Sequence, residues 1–251
     1  MFWKKHKWKI IVSMCLVALL AFTFWFGGNA PGLQGWKVEK RPTATETPAP
    51  IPTTAPTPPS NTAPAAEMQG DVEYSAQQGM EFDPETGLDR YLTSAVPEGK
   101  PVPVEPDDDK ITDEEHTCTI SISCATILDN MEWLDKEKTE LVPEDGWILK
   151  PVEVTFFEGE SVFHVLRRTC KQQGIHMEFT NTPIYNSAYI EGIHNLYEFD
   201  CGEGSGWMYA VNGWYPNYGC SRYAVKEGDV IEWNYTCTRG DDLGASYAVG
   251  G

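Results

Sequence analysis

Six cysteines between residues 118 and 237 carry the chemistry that is easiest to name from the sequence. An even number of cysteines behind a hydrophobic N-terminal run is typical of disulfides in exported proteins. Their spacing contains no Cys-x-x-Cys pair and fits no zinc template, so we expect disulfides and no metal ion. The cysteines concerned are Cys118, Cys124, Cys170, Cys201, Cys220 and Cys237.

Six cysteines allow 15 sets of three pairs, and geometry excludes one partnership. On a straight strand the Cα atoms of Cys118 and Cys124 would be about 20 Å apart, which is too far for a disulfide. The set that we expect joins Cys201 to Cys220, Cys124 to Cys170 and Cys118 to Cys237.

Aromatic side chains form a second chemical feature, between residues 207 and 235. Eight of these 29 positions are Trp or Tyr, whereas aromatic residues make up 12% of the chain. Such rings stack on a macrocycle, a sugar or the apolar patch of a partner, and they also form the core of a small sheet. Core packing is favoured for the strand positions, and both interpretations remain open beside the turn. The candidate ligand-binding residues are Trp207, Tyr209, Asn212, Trp214, Tyr215, Tyr218 and Tyr223.

No catalytic constellation stands out. His164, His176 and His194 belong to no metal motif. Ser205 lies between two glycines but lacks the G-x-S-x-G pattern of a nucleophile elbow. We therefore expect a protein that is not an enzyme.

The charge balance argues against nucleic acid as a partner. The chain has 37 acidic and 19 basic residues and a net charge of −18. A surface of this sign repels a phosphate backbone.

The elements that position these residues follow from hydrophobic periodicity. Strands are predicted at 118–124, 152–157, 175–179, 188–199 and 229–237. Ser161 and Gly174 bracket a helix, and Asn212-Gly213 predicts a type I′ turn in a hairpin over 207–218. One helix among six or seven strands indicates an α+β domain.

The N-terminal half has a different organisation. Residues 1–9 are predicted to form a basic cytoplasmic tail. Ile10 to Phe26 is an uncharged run of about 26 Å as a helix, near the lower limit for spanning a bilayer, and is predicted to be a transmembrane anchor or an uncleaved signal. Secretion after signal cleavage is the alternative. Residues 27–115 are predicted to be a disordered linker, rich in Pro, Thr and Ala and then in acidic residues. A folded domain follows at 116–240, with a flexible tail at 241–251.

Three segments, in this order along the chain, resemble those of a known family: Gly204–Gly213, Tyr215–Gly219 and Lys226–Trp233. Together with Cys118–Leu128 and Glu158–Val162 they resemble the bacterial transcobalamin-like C-terminal domain family (DUF4430), over about residues 116–238. The family is related to the smaller C-terminal domain of the cobalamin carriers transcobalamin and intrinsic factor. This resemblance implies a β-grasp-like domain, with one helix over a mixed sheet, and cobalamin or a related corrinoid as a ligand.

Two functions are expected from these observations. The first is a small-ligand-binding module tethered to the cell membrane through residues 10–26, with its domain outside and a corrinoid or other tetrapyrrole as ligand. The second is a structural or adhesive module of the cell envelope that binds a protein or glycan through the same aromatic residues.

Overall fold

The structure is a computed structural model that describes residues 70–106, 110–245 and 248. The predicted tail 1–9, the predicted anchor 10–26 and residues 27–69 of the predicted linker lie outside the described residues. Within the part of the chain that is described, no helix is both long enough and apolar enough to cross a membrane.

Four strands form a mixed sheet in the order β2-β1-β7-β6. β1 is antiparallel to β2 and parallel to β7, and β6 is antiparallel to β7. Successive side chains of a strand point to opposite faces, so Ile231, Trp233 and Tyr235 of β7 are buried together. With strands numbered along the chain, the four are β1 (Glu115–Ser123), β2 (Trp147–Phe157), β6 (Gly206–Val211) and β7 (Val230–Thr236).

A second, three-stranded antiparallel sheet has the order β3-β4-β5. It lies in the region where the sequence predicts strands at 175–179 and 188–199. Its strands are β3 (Met177–Thr182), β4 (Ser187–Ile193) and β5 (Leu196–Tyr197).

The longest helix described, α3 (Val162–Gln173), has the ends that the sequence predicts. The backbone N–H of Ser161 donates to Nδ1 of His164 (3.2 Å) at its start. Gly174 ends it at φ +68°, a left-handed conformation that glycine adopts without a steric penalty. Val165 and Leu166 pack into the same core as Trp233 of the sheet.

The remaining helical segments described are short. They are α1 (Val72–Gln77), α2 (Ala125–Leu128) and the 3-10 turns Lys136–Leu141, Cys220–Arg222 and Asp241–Leu243. Strands thus dominate, and the predicted α+β class is confirmed.

The predicted hairpin over 207–218 is correct at its turn and wrong in its second strand. Asn212 and Gly213 both have positive φ, 53° and 75°, as a type I′ turn requires. After a single bridge between Val211 and Trp214 the chain leaves β6, which pairs with β7. Pro216 has no N–H to donate, so the segment cannot continue a ladder.

Residues 70–106, which the sequence assigns to the disordered linker, pack against the domain. Met80 and Val96 are buried in the main hydrophobic cluster. The backbone N–H of Val104 donates to the carbonyl of Arg222 (2.9 Å). The linker prediction is therefore wrong for this stretch, which we call the N-terminal segment. It has little regular structure. Separate hydrogen bonds and ion pairs hold it against the domain.

The ion pairs centre on Arg222, whose residue surface is 1% exposed. Its Nη2 donates to Asp89 Oδ2 (2.8 Å) and Glu105 Oε1 (2.9 Å). Its Nη1 donates to Thr93 Oγ1 (2.7 Å), and the ring centroid of Tyr91 lies 4.9 Å from the guanidinium carbon. All four partners belong to the N-terminal segment, which therefore neutralises a charge inside the domain.

We expect Arg222→Ala to lower the free energy of unfolding by about 3–5 kcal/mol, because it leaves the Asp89 carboxylate, whose side chain is only 9% exposed, without its cation. The exposed Arg167 of α3 is the matched control. Arg167→Ala should change the free energy of unfolding by no more than about 0.5 kcal/mol. Urea unfolding monitored by circular dichroism measures both. Equal midpoints for the two variants would contradict this role of Arg222.

Candidate functional site

Four of the seven candidate ligand-binding residues are buried in the domain: Tyr209, Trp214, Tyr218 and Tyr223. The Trp214 and Tyr218 ring centroids are 6.0 Å apart, and Tyr218 is stacked on Tyr223 at 6.2 Å. Burial raises the pKa of all three tyrosines above the usual range, so their phenols stay neutral. These rings are core residues along most of their surface.

The N-terminal segment covers the rings beside the turn. The Lys100 ammonium lies 5.6 Å from the ring centroid of Trp214, which is 3% exposed. The Tyr218 hydroxyl donates to the carbonyl of Pro101 (2.7 Å). Trp214 and Tyr218 therefore do not form the solvent-facing platform that their position beside a turn suggested.

Asn212 and Tyr215 hold other elements in place. The Asn212 amide donates to Asp229 (2.8 Å) and its oxygen accepts from the backbone N–H of Val230 (2.9 Å). The half-buried Tyr215 accepts a hydrogen bond from the Asn234 amide (3.0 Å) at its hydroxyl. Asn212 thus anchors its turn to the start of β7 and does not reach the cleft described next.

Three candidates, Trp207, Tyr209 and Tyr218, line a cleft of about 440 Å³. We call it the aromatic cleft. Rings, a thioether and a proline make up much of its wall, and charged side chains stand among them. Its apolar wall includes Tyr189, Phe199, Trp207, Met208, Tyr209, Pro216 and Tyr218, and its charged residues are Glu198, Glu203 and Arg239.

Phe199 is the most unusual residue of the cleft, and sequence reasoning missed it. It is 63% exposed and has φ +70°. The exposed ring leaves apolar surface in water, and the left-handed backbone is strained for a residue with a bulky side chain. Backbone strain of this kind concentrates at functional positions. Only the neighbouring Gly202 and Gly204 indicate a tight loop, and no periodicity distinguishes the phenylalanine itself.

Tyr189, also missed, faces the cleft from β4 and is 46% exposed. Its hydroxyl donates to Glu198 Oε2 (2.5 Å). Partial burial, followed by this hydrogen bond to a carboxylate, raises the pKa of Tyr189 above the usual range. The phenol is therefore a neutral donor and it fixes the orientation of Glu198.

Trp207 is held rigidly at the base of the same loop. Its indole N–H donates to the carbonyl of Leu196 (2.8 Å), and its ring packs edge-on against Tyr235 at 5.2 Å. The Tyr235 hydroxyl is 2.6 Å from the carbonyl of Tyr197 and 3.0 Å from Ser205 Oγ. The Trp207 side of the cleft is thus held by hydrogen bonds and ring packing.

The cysteines are not arranged as the sequence suggested. All six described cysteines are free thiols in the structure. Cys201 and Cys237 are neighbours, with their Sγ atoms 3.4 Å apart. Cys201 belongs to a hydrophobic cluster that includes Cys124 and Cys237, whereas Cys220 belongs to the main core. Each of the three expected pairs, Cys201–Cys220, Cys124–Cys170 and Cys118–Cys237, has one member in each cluster, so this set is wrong for the structure.

The described residues include no group of three or more His, Cys, Asp or Glu side chains that could hold a metal ion. His164 caps α3, and burial lowers its pKa. His176 is paired with Glu178 (3.2 Å). These histidines do not lie among the residues of the aromatic cleft.

A family of known sequences matches the region that contains most of the cleft. Residues 159–237 match DUF4430, described as a domain of unknown function. The family resemblance is thereby confirmed for this stretch, which runs from the turn before α3 to the residue after β7. It includes every residue named above for the aromatic cleft except Arg239, and it leaves out β1 and β2.

Two solved structures are similar at low identity. Haptocorrin in complex with Cbi matches with 14% identity and a TM-score of 0.37, over 52% of this chain and 27% of that chain. This chain therefore spans about a quarter of the haptocorrin chain. A protein from Ruminococcus gnavus ATCC 29149, named for a proposed role in metal binding, matches with 13% identity and a TM-score of 0.30, over 48% of this chain and 96% of that chain. No curated protein matches the sequence.

Trp214→Ala should destabilise the domain about as much as Trp233→Ala, by about 3–5 kcal/mol each, because both leave a cavity in the core. Trp133 is 43% exposed, and Trp133→Ala should stay within about 1 kcal/mol of the parent. Thermal melts of the three variants test this. A Trp214→Ala variant that melts like Trp133→Ala would show that the indole contributes little to the core.

Proposed function

We propose that the aromatic cleft binds a small molecule with a flat ring system. The observation that carries this proposal is the convergence of the exposed rings of Phe199 and Tyr189 on the fixed indole of Trp207. The cleft volume of about 440 Å³ is within the range of about 300–1,000 Å³ for small-molecule sites. Stacking on rings is the interaction that this wall offers.

The charged residues of the cleft narrow the ligand class. Glu198 and Glu203 offer carboxylate oxygens to N–H or O–H donors, and Arg239 offers donors to an acceptor. A ring bearing amide or hydroxyl groups fits this set. A corrinoid is a macrocycle of this kind, and the resemblance to the transcobalamin-like family favours it as the first ligand to test. Other tetrapyrroles come next.

The proposal describes a binding module and not an enzyme. We place it on a β-grasp-like domain, because the order β2-β1-β7-β6 has a parallel central pair and α3 follows the first hairpin. We further propose that residues 10–26 tether it to the cell membrane with the domain outside, supported by the lysines that precede this apolar run. N-terminal sequencing of the mature protein tests the tether, since a start near Pro31 would indicate secretion.

Phe199→Ala should weaken binding of cobinamide or cyanocobalamin to the full chain by about 1–3 kcal/mol, the range of an anchoring aromatic residue. Tyr189→Ala should act in the same direction. Folding should change little, because neither residue belongs to a buried core cluster. Titration calorimetry gives the affinity, and a thermal melt of each variant gives the stability.

Trp133→Ala is the matched control, since Trp133 is an exposed aromatic residue outside the cleft. It should leave the affinity unchanged. Equal affinity of Phe199→Ala and the parent would overturn the assignment of the cleft. If the parent chain binds neither cobinamide nor cyanocobalamin, a corrinoid is ruled out as the ligand, and haem becomes the next probe.

A second candidate is a module that contacts a protein or glycan partner at the cell envelope. It is favoured by the exposure of Phe199 and Tyr189, because sugars and apolar partner patches stack on accessible rings. A glycan array probed with the parent and with Phe199→Ala separates the two functions. Loss of a glycan signal in the variant, with no corrinoid binding by the parent, would favour the second.

A further inference from the structure

Cys201 and Cys237 bring two thiols into direct contact. Their Sγ atoms are 3.4 Å apart and both residues are buried. Cys201 lies in the 198–205 loop, which carries Phe199, Glu198 and Glu203 of the aromatic cleft. Cys237 follows β7 directly. The contact therefore joins a loop of the cleft to the central sheet.

The surroundings distinguish this pair from the other cysteines. The Cys237 thiol donates to Cys201 Sγ, and this hydrogen bond lowers the pKa of Cys201 and raises that of Cys237. By contrast, burial raises the pKa of the remaining described thiols, Cys118, Cys124, Cys170 and Cys220, to about 12. Thiolate, the reactive form, is thus favoured at Cys201.

We propose that Cys201 and Cys237 form a disulfide that locks the 198–205 loop onto the end of β7. An S–S bond is about 2.05 Å long, so the two sulfurs must approach by roughly 1.4 Å, which rotation of the side chains supplies. Both thiols are buried in the folded domain, so the oxidant reaches them before the loop closes over β7.

The chemistry balances with a low-molecular-weight disulfide such as oxidised glutathione. The Cys201 thiolate attacks one of its sulfurs, which forms a mixed disulfide and releases one glutathione thiolate. The Cys237 thiolate then attacks Cys201 Sγ, which forms the protein disulfide and releases the second. The two cysteines lose two protons and two electrons, and two reduced glutathione molecules carry them away.

Peptide mapping tests the pairing directly. The full chain is refolded with oxidised and reduced glutathione, alkylated, and digested with trypsin and a glutamate-specific protease. Cleavage after Glu203 separates Cys201, within 199–203, from Cys220, and Cys237 is recovered within 233–239. We expect a cross-linked pair of these two peptides. A link between Cys201 and Cys220, or alkylation of both Cys201 and Cys237, would overturn the proposal.

Variants and a native digest provide the controls. Cys201→Ser should leave Cys237 alkylated, whereas Cys220→Ser should retain the cross-link. In the folded chain, cleavage after the exposed Glu203 should be on the order of tenfold slower when oxidised than when reduced, since the loop opens less often. The same rate in both states would overturn the locking of the loop. Neither readout depends on ligand binding, so the proposed function can fail without affecting this result.

Discussion

The buried guanidinium of Arg222 is the constraint from which much of the architecture follows. A charge that is removed from water must be paired, and its two carboxylate partners, Asp89 and Glu105, lie 133 and 117 positions earlier in the chain. If the N-terminal segment that carries them detached from the domain, the guanidinium would be exposed to water or left without its ion-pair partners. Because the segment stays, it also covers Trp214 and Tyr218, and the open aromatic surface is limited to the side where Trp207 lies.

The aromatic residues consequently divide into two populations with different physical roles. Tyr209, Trp214, Tyr218 and Tyr223 pack together in the core, and the three tyrosine phenols are neutral because burial raises their pKa. Phe199 and Tyr189 keep much of their surface in water. The binding that we propose for the cleft would therefore have a low entropic cost, since a ligand would need to order only these two exposed rings.

Much of the fold could be predicted because its signals are local. Alternation placed β1 and β7, and Ser161 and Gly174 placed the ends of α3. The packing of residues 70–106 could not be predicted, since isolated hydrogen bonds such as that from Asn217 to Ser94 (2.8 Å) leave no period in the sequence. Only some of the residues that line the cleft could be predicted. Trp207 stood out in a strand, whereas the importance of Phe199 depends on a loop conformation that the sequence does not show.

The parallel pairing of β1 with β7 has a consequence for the order of synthesis. The backbone N–H of Thr117 donates to the side-chain carboxylate of Glu227, 110 positions later, and the parallel ladder beside it aligns Thr119 with Val230. The centre of the sheet therefore cannot assemble until nearly the whole domain has left the ribosome. Until then β1 and β2 can form only a two-stranded hairpin, which is marginally stable alone. A nascent chain of this protein therefore lacks the parallel centre of its sheet until its last strand has been synthesised.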